Sequence, residues 1–146
     1  MQPEGRILLV EDESDWLRKL KTYLADEPYS IKVAEDFRKA ANLLRDHVFD
    51  TVLVDLRLKH WQRDNFEGME VLKLIDKVAE EQGTTAIVIS AYGKAQHVRE
   101  AFKVHGIIDY IDKKELDPEA LRRAVRAAVD EAYSRRGEIL DRKYGE

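Results

Sequence analysis

The chain has no cysteine among its 146 residues. Disulfides and thiolate-held metals are therefore excluded, and the redox compartment stays open. Its four histidines do not fall at metal-ligand spacings. No basic n-region and apolar h-region opens the chain, and no apolar run approaches the roughly 20 residues of a membrane-crossing helix. Cytoplasmic localisation with no membrane partner is the expectation. Charge of one sign is not in large excess: 25 Lys and Arg stand against 29 Asp and Glu, a net −4. That removes a general affinity for nucleic acid or anionic membrane. Internal repeats, low-complexity segments and a second-domain linker are also missing, and the length suits one domain.

What is present is ordered. Apolar residues make up 44% and charged residues 37%, a balance that fits a globular domain with a solvated surface. "RILLV" (6–10) reads as a buried strand. "EDESDWLRKLKTYLADE" (11–27) carries Trp16, Leu17, Leu20, Tyr23 and Leu24 at helical spacing, with Ser14 as expected N-cap and Pro28 as stop. "YSIKVAE" (29–35) alternates like a more exposed strand, and "DFRKAANLLRDHV" (36–48) is helical. "TVLVD" (51–55) is nearly all apolar until its last residue, as in a strand covered on both faces. An irregular piece, "LRLKHWQRDNFEG" (56–68), precedes a helix over 69–83 ended by Gly83. "TAIVIS" (85–90) is a fourth strand. A short helix follows within 91–106, then a fifth strand, "IIDYID" (107–112). A long helix over 116–140 is capped by Asp117 with Pro118 in its first turn, and "SRRG" (134–137) is a candidate break. Five strand–helix repeats predict a parallel sheet with helices on both faces.

In such a sheet, ligands bind beyond the carboxyl ends of the strands. The strands here end in polar groups: Glu11 and Asp12 after the first, Asp55 on the third, Ser90 on the fourth, Lys113 just past the fifth. Three carboxylates at close range repel and raise each other's pKa unless a hard cation such as Mg²⁺ joins them. A carboxylate beside Mg²⁺ can attack phosphorus as a nucleophile, while a lysine and a hydroxyl stabilise charge on the transferring oxygens. The product would be an aspartyl phosphate at Asp55.

At this point the sequence resembles the receiver domains of two-component response regulators. The resemblance runs over about residues 5–127. It is carried by "ILLVEDE" (7–13), "VLVDLRL" (52–58), "VISAYG" (88–93) and "GIIDYIDK" (106–113), in that order. It implies a (βα)5 flavodoxin-like fold with strand order 2-1-3-4-5, and a domain over 1–127 followed by a helix extension and tail over 128–146. It implies that Asp55 accepts a phosphoryl group from a histidine kinase or phosphotransfer protein. Mg²⁺ would be held by Glu11, Asp12, Asp55 and the backbone carbonyl of Arg57, with Ser90 and Lys113 on the phosphoryl oxygens. Ser90 and Tyr110 would form the switch that remodels the face of the fourth helix, fifth strand and fifth helix, a possible homodimer surface. Beyond self-phosphorylation and autodephosphorylation no enzyme activity is implied. The output would pass to a downstream protein or an output domain outside the chain.

The chain also departs from that family. Its loop after Asp55 is longer, and Arg57 and Tyr92 are bulky where the hydrolytic water passes. The modified loop motivates an alternative function, a phosphorylation-independent adaptor with a receiver fold, while Arg57 and Tyr92 bear on the lifetime of the phosphoryl group. Trp61 and Phe66 either pack the 58–68 loop as a lid over the site or face a partner. Tyr110 serves equally as a half-buried packing residue. Arg122, Arg123, Arg126, Arg135 and Arg136 form a basic stripe, but interspersed acids argue for a solvated face or protein interface over nucleic acid. Two enzyme classes are disfavoured. "VEDESD" offers no Gly-rich turn for a nicotinamide cofactor. Arg57 replaces the second acid that aspartyl-phosphate phosphatases use as proton donor.

Overall fold

Branched apolar runs that are buried on both faces suit parallel strands, and the runs at 51–54 and 85–90 are buried throughout. The computed structural model describes residues 4–55, 66–91 and 95–145, of which 66–69 and 95–97 are described in backbone only. The strands are β1 (Gly5–Val10), β2 (Tyr29–Ala34), β3 (Thr51–Val54), β4 (Thr85–Ser90) and β5 (Ile107–Asp112). All pair in parallel, in the order β2-β1-β3-β4-β5. The helices are α1 (Ser14–Tyr23), α2 (Phe37–Asp46), α3 (Phe66–Gln82), α4 (Ala95–Ala101) and α5 (Pro118–Tyr144), with one 3₁₀ turn at Lys113–Glu115. This is the five-stranded (βα)5 architecture with the expected strand order.

Alternation along each strand divides the core in two. Leu8, Val10, Val52, Val54 and Val88 point to one face, where they meet Leu44 of α2 and Leu72 and Ile75 of α3. Ile7, Leu9, Leu53, Ile87 and Ile89 point to the other, against Leu20 of α1 and Leu121 and Val125 of α5. Each such side chain contributes about 1.5–3 kcal/mol of burial. β2 alternates between intermediate and exposed positions up to its buried last residue, Ala34, as an edge strand should. Among the described residues no helix is long and apolar enough to cross a membrane.

Three local expectations are corrected. Ser14 is the first helical residue of α1; the N-cap is Glu13, whose side chain makes no capping bond. Its N–H is instead accepted by Glu11 Oε1 at 3.0 Å, which satisfies the chain entry from the strand side. α3 starts at Phe66, so the end of the expected irregular piece is helical. α5 runs unbroken through Gly137 to Tyr144. A helical glycine costs about 1 kcal/mol relative to alanine, but tertiary anchors hold this stretch. Arg136 donates from Nε to the Gln82 carbonyl at 3.2 Å and from Nη1 to Asp50 Oδ1 at 3.0 Å. Asp117 caps α5 as expected, accepting from the Ala120 N–H at 2.7 Å.

One tight turn needs its glycine. Gly106, leading into β5, has φ +91°, and a Cβ there would lie 2.6 Å from Ala79 Cβ and 2.8 Å from the Thr84 carbonyl oxygen.

Candidate functional site

Parallel register brings the carboxyl ends of the strands to one edge. Val10 lies beside both Ala34 and Val54, Val54 beside Val88, and Ser90 beside Asp112. The pairing continues one step past β1 and β3: the Glu11 N–H donates to the Ala34 carbonyl at 3.1 Å and the Asp55 N–H to the Val10 carbonyl at 3.0 Å. Glu11, Asp12, Asp55, Ser90 and Lys113 are therefore delivered to one place by elements far apart in sequence.

Burial of Asp55 is compensated by a lysine. The Lys113 ammonium donates to Asp55 Oδ2 at 2.8 Å and to Glu11 Oε2 at 3.0 Å. All three side chains are nearly dry, at 5% exposure for Lys113, 2% for Glu11 and 6% for Asp55. Burial pulls the Lys113 pKa down, but the Asp55 and Glu11 carboxylates outweigh it and the net shift is upward. Glu11 is pushed up from 4.5 to about 7, first by burial and then by the Asp55 charge. The Glu13 N–H and Lys113 oppose that rise without cancelling it.

Asp12 completes the cluster from an exposed position. Glu11, Asp12 and Asp55 each present a carboxylate oxygen, and the three oxygens lie within 4.8 Å of one another. Three carboxylates against one ammonium leave two formal negative charges in a partly dry space. That all-oxygen donor set, with the Glu11 pKa pushed up first by burial and then by the Asp55 charge, fits a hard divalent cation. The cluster can hold a metal ion.

Ser90 is fully buried at the end of β4. The phenol of Tyr110, on β5, is raised in pKa by burial, while the neighbouring Ser90 hydroxyl acts in the opposite sense. Its oxygen is buried without a hydrogen bond of regular geometry among the described residues. Tyr110 also packs against the α2–α3 side of the core. Arg57, Tyr92 and the 56–65 stretch of the expected lid lie outside the described residues, as does the side chain of Phe66.

Two features were not legible as parts of a site. Trp16 reads in sequence as one member of an apolar stripe. In the fold its ring centroid is 4.6 Å from Lys113 Nζ and also 4.6 Å from Lys19 Nζ. An aromatic residue in the first helical turn after an acidic pair is the signal that could have found it. At the opposite edge of the sheet, Asp50 accepts from the Arg6 N–H at 2.7 Å and from Arg136. Arg136 thus leaves the basic stripe for a structural pair. The other arginines of that stripe mostly meet acids too: Arg122 and Arg126 reach Glu27, Arg123 meets Glu119, and Arg135 meets Glu131.

A phosphoacceptor-type acidic cluster on a (βα)5 sheet defines a class, and the family comparison agrees with it. Residues 7–126 match the response regulator receiver domain, and the chain belongs to this family of phosphorelay signalling domains. Among relatives, it is 34% identical over 129 residues to the alginate biosynthesis transcriptional regulatory protein AlgB of Pseudomonas aeruginosa, covering 88% of this chain and 27% of that protein. It is 31% identical over 109 residues to the regulatory protein AtoC of Escherichia coli, covering 75% and 22%. The chain thus spans about a quarter of the length of these relatives. Among solved structures, the signal receiver domain of a putative LuxO repressor protein from Vibrio parahaemolyticus superposes with a TM-score of 0.75 at 25% identity, covering 97% of this chain and 98% of that one. A response regulator from Thermotoga maritima does so at 0.70 and 26% identity, covering 89% and 99%.

Proposed function

We propose that Asp55 is the phosphoacceptor of a phosphorelay, taking a phosphoryl group from the phosphohistidine of a histidine kinase or phosphotransfer protein. The observation that carries this reading is the dry bridge of Lys113 between Glu11 and Asp55, beside Asp12. Such a bridge leaves an ammonium poised to follow charge onto a group transferred to Asp55. Glu11, Asp12 and Asp55, with the Arg57 carbonyl, would hold Mg²⁺. When bound, Mg²⁺ neutralises carboxylate repulsion and draws charge from phosphoryl oxygens.

Asp55 supplies the carboxylate oxygen that forms the new bond to phosphorus as the nitrogen–phosphorus bond of the donor breaks. Lys113 keeps one N–H on Asp55 and can direct another to a phosphoryl oxygen. Ser90 offers its hydroxyl to the same group, which would draw Tyr110 with it and change the α4–β5–α5 surface. That surface is the proposed contact for a downstream protein or a second copy of the chain. Dephosphorylation would be the domain's own hydrolysis of the acyl phosphate.

Incubation with phosphoramidate or acetyl phosphate and Mg²⁺ should add the mass of one phosphoryl group. D55N should take none. Undiminished labelling of D55A would overturn the assignment. Absence of any labelling in the wild type, together with a melting curve indifferent to Mg²⁺, would favour the phosphorylation-independent adaptor.

A further inference from the structure

An ammonium has three N–H groups, and in this site two of them are used by Glu11 and Asp55. The third side faces the indole of Trp16, whose centroid stands 4.6 Å from Lys113 Nζ. We infer that Trp16 is a positioning residue for Lys113, its ring face fixing the ammonium between the two carboxylates. The inference rests on the reading of Asp55 as phosphoacceptor for its functional consequence, but not for the contact itself.

The physical case has three parts. A lysine side chain carries up to about 2 kcal/mol of rotamer entropy, so a pair of hydrogen bonds at its tip leaves the stem free to wander unless something packs on it. The face of an aromatic ring attracts a cation, most strongly for tryptophan and most strongly where water is excluded. Lys113 is dry, at 5% exposure. Lys19 stands at the same 4.6 Å from the ring, but it is exposed, and its solvation leaves the ring's attraction mainly to Lys113. α1 makes the arrangement possible. It begins directly after the acidic pair, with Glu13 tied to Glu11 by its N–H, so its first turn overhangs the site. Trp16 is only half-buried, which places it as a cover between the ammonium and solvent.

The test compares W16F, W16L and K19M with wild type, each followed by phosphoramidate labelling in Mg²⁺ and by NMR of the Lys113 side chain without metal. The expected result is an upfield ring-current shift of the Lys113 ε-methylene in wild type, retained in part in W16F and absent in W16L. W16L should label roughly five-fold more slowly, W16F should recover most of the rate, and K19M should match wild type. A side chain that merely packs would make Leu as good as Phe, so equal rates for W16F and W16L overturn the inference, as does a wild-type rate in W16L. Should W16L fail to fold, a W61F background isolates Trp16 emission. Comparing K113M with its parent there is then decisive, because unchanged emission overturns the contact. If wild type takes no label while the ring-current shift is present, the phosphoacceptor reading fails and the Trp16–Lys113 contact stands.

Discussion

Glu11 carries the main electrostatic strain of the site. Its pKa rises from 4.5 to about 7 on folding, from burial first and the Asp55 charge second. Between those values the folded chain keeps a proton on Glu11 that the unfolded chain has given up. Stability without metal must therefore fall as pH rises through that window, by up to about 3 kcal/mol for this group alone. Above about 7 the loss is complete and constant. Urea unfolding in chelator at pH 5 and pH 8 reads this directly. E11Q, which keeps an acceptor for Lys113 but no charge, should flatten the dependence and raise the pH 8 midpoint. Wild type is expected to gain melting temperature in Mg²⁺, since an ion held only by the folded form stabilises it, and E11Q should show a smaller gain. Asp12 differs because it is exposed. D12A should shift metal-free stability by no more than about 0.5 kcal/mol while lowering Mg²⁺ affinity.

At the scale of elements, the turn into β5 is tightly constrained. G106A must place a Cβ where Ala79 and the Thr84 carbonyl already stand, at a left-handed φ of +91°. The cost should be about 2–4 kcal/mol from backbone strain and overlap together, seen as a lower urea midpoint with the m-value preserved. β5 carries Tyr110 and leads into Lys113, so the variant should also lose Mg²⁺-dependent stabilisation.

The strands were legible because parallel strands covered on both faces leave nearly continuous apolar runs, and because each run stops at a polar residue. That also made Glu11, Asp12, Asp55, Ser90 and Lys113 legible as a set. The pair at the other edge was not. Asp50 looks like a turn residue before β3, and its partner Arg136 is 86 positions away. Gly137 misled for a related reason: propensity marks a helix end, while the Arg136 bonds to Gln82 and Asp50 hold the helix through it. Trp16 obeys the helical stripe and also covers an ammonium, and spacing reports only the first.

At the scale of the whole molecule, the family match ends at residue 126, but the packing does not. Val129 and Ala132 are buried at 4% and 0% exposure. The Thr85 hydroxyl donates to the Ala128 carbonyl at 2.7 Å. Ending the chain at residue 127 removes these and leaves Asp50, itself buried, without its arginine. The expected loss is at least about 3 kcal/mol, measurable by urea unfolding. R136A should reproduce about 1–2 kcal/mol of it.

The bridge from Lys113 to Asp55 spans 58 residues of sequence, and that span has a meaning in time. A ribosome adding about 5–20 residues each second releases Asp55 roughly 3–12 s before Lys113. During that interval the nascent chain owns its acidic cluster but not the ammonium that bridges it. β5 is the last strand of the sheet, at its outer edge, and Lys113 comes directly after it. The site therefore acquires its cation only once β5, the last strand of the sheet in sequence order, has been made.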